Sequence, residues 1–285
     1  MTISILGCGW LGLPLARHLI ARGHRVRGST TTPARLDTLA EAGITPYLLT
    51  LDPSLTGSPV GDFFAADALV LNIPPGRRRP DVETYHARQI ASVCDELRFS
   101  PIDFVVFVSS TSVYPDLNTT VVETDTTQPP ESASGRALRA AEERLRADTH
   151  FDTTVLRFGG LYGYDRQPGR FLAGRTGLDN GGAPVNMLHR DDAVGIIDAV
   201  LTGNVRGEIF NAVADEHPSR ADFYTRKALE AGLEPPTFAD RAATAFKRVS
   251  NARLKQRLGY VFRHPDPLAP APYRAGAAGA PAPAS

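Results

Sequence analysis

Gly7-Cys8-Gly9-Trp10-Leu11-Gly12 has the spacing G-x-G-x-x-G, placed directly after an apolar run and before a helix-like one. The first glycine makes a tight turn, and the second leaves room for a phosphate beside the backbone. The third lets the helix pack close to the strand, with its first N–H groups aimed at the anion. In that context the residues read as the pyrophosphate site of a dinucleotide; the bland alternative is a tight turn without a ligand. Trp10, the only tryptophan, would either cover a bound molecule or pack on the top of the sheet. Cys8 is either a thiol acidified by the helix N-terminus or a small packing residue.

The residues that follow bear on which dinucleotide. A site for NAD places Asp or Glu about 20 residues on, accepting from the ribose 2′-OH. No acidic residue occurs from Leu13 to Leu36, where the chain reads Ser29-Thr30-Thr31-Thr32-Pro33-Ala34-Arg35. Hydroxyls and a guanidinium suit a 2′-phosphate, and no carboxylate is there to repel it, so NADP is expected over NAD. Arg35 has a second reading, as a solvated residue of a first helical turn. Asp52 and Asn72-Ile73-Pro74 fall at carboxyl ends of strands, where open sheets bind ligands. There Asp52 could meet the adenine amine and the Asn72 segment the adenosine ribose; both could equally be turn residues.

These residues need a parallel sheet to hold them. Strand-like runs at 2–6, 24–28, 47–50, 68–72, 104–109 and 154–158 alternate with helix-like segments at 13–22, 34–42, 81–98 and 133–148. A glycine-rich stretch follows at 160–186, then a helix at 191–201, a short strand at 208–211 and helices at 219–231 and 250–258. The Ala/Pro/Gly-dominated end, 264–285, is expected to be a disordered tail. The chain has 285 residues, with 31 Lys+Arg balanced by 31 Asp+Glu, so no basic field speaks for nucleic acid. No apolar run approaches the ~20 residues of a membrane span. Cys8 and Cys94 form no ligand spacing, and no metal site is read. No leader pattern precedes the first strand, so a cytoplasmic protein is expected. Only three lysines occur, Lys227, Lys247 and Lys255.

Four stretches carry a family resemblance: GCGWLG at 7–12, VFVSSTSVYP at 106–115, LRFGGLYG at 156–163 and NMLHRDDAV at 186–194. Together they resemble the extended and atypical short-chain dehydrogenase/reductases, the NAD-dependent epimerase/dehydratase group. The resemblance implies an α/β fold, a Rossmann-type doubly wound parallel sheet with a smaller C-terminal substrate lobe. It divides the chain into a dinucleotide-binding part, 1–160 plus 187–212, and a lobe, 161–186 plus 213–263. It also implies dinucleotide chemistry on a carbonyl or alcohol, with Ser109 beside the cofactor and Ser110 and Thr111 at the substrate oxygen.

The family's reaction centre adds a Tyr-x-x-x-Lys on a helix, where the phenol exchanges the proton that accompanies hydride transfer. Aligned on that helix, this chain has Ser134 and Leu138. A serine hydroxyl is a far weaker acid than a phenol and cannot simply inherit the job, so a relocated tyrosine is expected, with a serine-based or water-mediated relay on that helix as the alternative. Tyr162 is the first candidate, with Tyr114 and Tyr164 behind it; its other reading is an aromatic anchor. His189 is either a packing histidine at the junction or an active-site one, and Arg157, Arg170 and Arg175 flank the presumed cleft. The expected function is an NADP(H)-binding oxidoreductase on a small-molecule carbonyl or alcohol. The alternatives are a catalytically silent NADP(H)-binding sensor or partner protein, and a nucleotide-sugar epimerase or dehydratase.

Overall fold

The computed structural model describes residues 1–76 and 78–269. Its strands are β1 (Thr2–Leu6), β2 (Arg25–Thr30), β3 (Thr45–Leu51), β4 (Leu55–Ser58), β5 (Ala68–Leu71), β6 (Phe104–Ser110), β7 (Thr119–Val121), β8 (Asp152–Phe158), β9 (Gly160–Tyr162), β10 (Met187–His189), β11 (Ile209–Ala212) and β12 (Lys247–Val249). The helices are α1 (Gly12–Ala21), α2 (Leu36–Glu41), α3 (Val60–Phe64), α4 (Val82–Arg98), α5 (Ala133–Ala147), α6 (Gly169–Leu172), α7 (Arg190–Thr202), α8 (Arg220–Glu230) and α9 (Ala252–Leu258).

Eight strands form one sheet in the order β11-β8-β6-β5-β1-β2-β3-β4, parallel throughout except for the hairpin β3–β4. The central strands are continuous apolar runs because both faces are covered. Ile3 and Ile5 of β1, with Val70 and Val106, pack toward α1 and α7; Leu69, Leu71, Val105 and Phe107 pack on the other face toward α4 and α5. The period of two along each strand therefore serves two cores.

After β1 the chain builds outward through β2 and β3, and from β5 it builds the opposite way through β6 and β8. The reversal lies between β1 and β5, where Ile5 stands beside Val70 and Leu6 beside Leu71. The crevice beyond the carboxyl ends of those two strands is where doubly wound sheets bind ligands.

Several short elements, together the upper layer, lie outside the main sheet, and of these β9, β10, α6 and α8 contribute to the crevice. Strands β9 and β10 pair with each other, β7 pairs with β12, and α6 packs on α8. Tyr162, Val185, Met187 and Phe223 make a small apolar cluster of their own there. Strand β10 belongs to this upper layer, although 187–212 is expected as one piece of the sheet-bearing part. Residues 264–269, expected as the start of the tail, are tied to the fold. The Asp192 carboxylate accepts from the backbone N–H groups of Arg263 and His264, and Pro265 O accepts from Glu216 N. Residues 270–285 lie outside the described residues. Among the described residues no helix is long and apolar enough to cross a membrane.

Candidate functional site

A cleft of about 1120 Å³ opens at the β1/β5 reversal. Its floor is the loop from Gly7 to Gly12. Gly7 has φ +104°, and a Cβ there would stand 2.4 Å from Asn72 O. At Gly12 a Cβ would stand 2.3 Å from Gly7 O, which is the close strand–helix approach the third glycine permits. Gly9 differs: a Cβ there meets nothing within 4 Å, so its glycine answers to no neighbour in the chain. That is the cradle a pyrophosphate needs, and no side chain caps α1.

The loop is fixed from both sides. Gly7 N donates to Ser29 Oγ at 2.9 Å and Cys8 N to Ser29 O at 2.9 Å. Asn72 donates from Nδ2 to Gly7 O at 3.1 Å and from its backbone N–H to Leu6 O at 3.0 Å. Arg35 reaches back from the turn after β2 to donate to Cys8 O at 3.1 Å. Ser29 and Asn72 thus shape the loop, while Thr30, Thr31, Thr32 and Arg35 line the cleft next to it, and Ile73 and Pro74 close the opposite wall. Cys8 is buried against Gly28, and burial pushes its thiol up to about 12. Packing, not acidity, is its role.

Trp10 spans the cleft's upper edge. Its Nε1 donates to Asp165 Oδ1 at 2.6 Å, and the Arg166 and Arg190 guanidiniums stand 4.3 and 4.9 Å from its ring centre. The far wall comes from Ser109, Ser110, Leu138, Gly160, Leu161, Met187, Phe171 and Tyr224.

Comparison with known proteins is consistent with this geometry. A family model for the NAD-binding domain of 6-phosphogluconate dehydrogenase matches residues 2–53. Over 269 residues the chain is 38% identical to Protein YeeZ of Escherichia coli (strain K12), spanning 93% of this chain and 97% of that one. The chain belongs to the YeeZ family. Its fold is similar to a short-chain dehydrogenase/reductase superfamily protein of Agrobacterium tumefaciens solved with bound NAD, at TM-score 0.74 and 20% identity over 91% and 92% of the two chains. It is equally similar to the UDP-glucose 4-epimerase of Thermus thermophilus in complex with NAD, at TM-score 0.74 and 17% identity over 90% and 93%. At these identities the likeness is one of fold.

The structure separates several residues that the sequence groups together. Ser110 lines the cleft, and its Oγ accepts from Ser112 N at 3.2 Å. Thr111 is buried in the turn behind it and is not in the wall. Tyr162 is not there either: its ring meets His189 and Phe223 edge-on, so it anchors the upper layer. Asp52 sits in the β3–β4 turn next to Leu51 of the wall but does not itself line the cleft, and it accepts from Tyr85 Oη at 2.9 Å. Tyr114 is buried, donates to Asn211 Oδ1 and accepts from Arg157, and burial pushes its phenol up to about 12.

Arg157 is no substrate ligand. It is 3% exposed and pairs with Glu142 at 2.6 Å, and Glu142 also accepts from Ser109 Oγ at 2.5 Å. His189 packs: its Nδ1 accepts from Asp191 N at 3.2 Å and its ring lies 3.7 Å from that of His264. Burial, then His264, holds it down at about 3. His189, Asp191 and His264 bring three ligand-type atoms within 4.8 Å of one another, but Arg190 and Lys227 add positive charge there, which suits a hydrogen-bonded latch. The residues missed by sequence reading are Tyr224, Phe171, Arg166, Arg78 and Arg79. Nothing local in the sequence marks them, because each reaches the cleft through the upper layer or the turn after β5.

Proposed function

We propose that the chain binds NADP(H) in this cleft and is an oxidoreductase acting on a small carbonyl or alcohol. The observation that carries the reading is the charge of the wall. Arg35, Arg78 and Arg166 line it together with Arg79, which Asp81 pairs at 2.9 Å, and among the described lining residues no carboxylate does, although the chain as a whole is neutral. NADP(H) is an unusually anionic ligand, with a pyrophosphate and a third phosphate on the adenosine ribose. The Gly7–Gly12 loop suits the former, and Thr31, Thr32 and Arg35 suit the latter. The solved relatives with NAD support a nicotinamide dinucleotide as the ligand class. Free, buried Cys8 and Cys94 suit a reducing cytoplasm.

When bound, the cofactor supplies or accepts hydride. The chain's part is to hold the substrate oxygen and exchange a proton there. Ser110 offers the hydroxyl, and Tyr224 is the one phenol among the described lining residues. Burial raises the Tyr224 pKa, so the phenol is fully protonated at neutral pH, although as an acid it is weakened by the same burial.

A second reading, cofactor binding without turnover, is favoured by α5. On the family alignment it carries Ser134 and Leu138 in place of Tyr and Lys, and Leu138 lines the wall as a hydrocarbon. One set of measurements separates these outcomes. NADPH should bind more tightly than NADH by fluorescence titration, and equal affinities would remove the NADP assignment. NADPH should turn over with a member of an aldehyde and ketone panel, and Tyr224→Phe should lower that rate about 10²–10⁴-fold. Tight binding with no turnover on any member would select the silent reading.

A further inference from the structure

Arg166 is set apart from the other arginines of the wall by where it comes from. Arg35, Arg78 and Arg79 follow strands of the main sheet, whereas Arg166 belongs to the upper layer. Its backbone is fixed by a tight turn in which Gly163 N donates to Arg166 O and Arg166 N to Gly163 O, both at 3.1 Å. Tyr164 within that turn donates from Oη to Asp191 Oδ1 at 3.1 Å, tying it to the start of α7. From this mount the Arg166 guanidinium lies over the ring of Trp10, inside the glycine loop. Arg190 also flanks that ring, but of the two only Arg166 lines the cleft.

We infer that Arg166 is a pyrophosphate ligand supplied from outside the sheet, completing from above the anion site that Gly9 and the start of α1 form from below. This rests on the proposed dinucleotide reading. The backbone N–H groups of a helix start offer partial charge only, equivalent to about half an elementary charge. A pyrophosphate bears two full charges, and a guanidinium can meet two of its oxygens at once. Arg166 is exposed and its side chain borders both the indole and the cleft.

The test crosses two variants with two ligands in the full chain. Both NADPH and NADH carry the pyrophosphate, so Arg166→Gln should weaken both by the same factor, about 10–100-fold. Arg35→Gln should weaken NADPH by a clearly larger factor than NADH, because it removes the 2′-phosphate partner as well as the bond to Cys8 O that both cofactors feel. Arg166→Lys, which keeps the charge without the fork, should fall between wild type and Arg166→Gln. Unchanged affinities in Arg166→Gln, or a loss confined to NADPH, would overturn the inference while leaving the dinucleotide reading in place. A wild-type chain that binds neither ligand would instead remove the reading on which it rests.

Discussion

Two glycines of the same loop should behave differently when replaced, because their constraints differ. Gly7 sits at φ +104° against Asn72 O, so Gly7→Val should destabilise the fold itself. Gly9 faces open space, so Gly9→Val should keep its thermal midpoint while losing dinucleotide binding; retained binding would mean that the phosphates lie elsewhere. His189 makes a pH prediction. It is held at about 3 when folded, against about 6.5 unfolded, so between those values the unfolded chain takes up a proton that the folded one refuses. Stability should thus be flat above pH 7 and fall on acidification, with a slope from this residue approaching about 1.4 kcal/mol per pH unit. His189→Asn, which can still cap α7, should flatten the decline between pH 6.5 and 5; denaturant titrations at several pH values measure it. The glycine loop was legible in sequence because a turn and a close backbone approach demand glycine directly. Tyr162 was not, because Phe223, sixty-one positions on, decides which way its ring faces.

Helix α5 is tied to the sheet at two places along its length. Ser132 caps it by accepting from Gly135 N at 3.0 Å, and a Cβ at Gly135 would stand 2.2 Å from Ser112 O, so its first turn is pressed against the turn after β6. Farther along, Glu142 clasps Arg157 of β8 and the Ser109 hydroxyl of β6, joining three elements behind the cleft. Removing one partner of so buried a pair leaves the other charge uncompensated. Glu142→Ala should therefore cost about 3–5 kcal/mol in chemical denaturation, and adding Arg157→Met should restore a good part of it. A loss below about 1 kcal/mol would show the pair to be dispensable. The long strands and helices were legible from their apolar periodicity, with ends shifted by one or two residues. The short strands β4, β7, β9, β10 and β12 were not, since unlike the equally short β5 and β11 they do not extend the apolar alternation of the parallel sheet. Strand β7 exists because Lys247–Val249 arrives beside it from far along the chain.

At the scale of the molecule, the end of the described chain has a structural part that its composition conceals. Asp192, fully buried at the start of α7, is satisfied by the backbone of Arg263 and His264 and by Tyr260 Oη. A chain ending at Ala269 should match the full-length thermal midpoint, whereas one ending at Phe262 should melt several degrees lower, since it leaves a buried carboxylate short of donors. Equal midpoints for both would make the latch ornamental. The Ala/Pro/Gly count hid this boundary because it averages over a segment whose first residues are chosen for their backbone N–H groups. Trp10, finally, gives the molecule an optical property. A lone indole, hydrogen-bonded to Asp165 and flanked by Arg166 and Arg190, stands at the seam between the glycine loop and the upper layer. Its emission is therefore a label-free signal of that seam alone, with no second tryptophan to dilute it. Stopped-flow mixing with a ligand could follow events at that seam in real time in the unmodified chain.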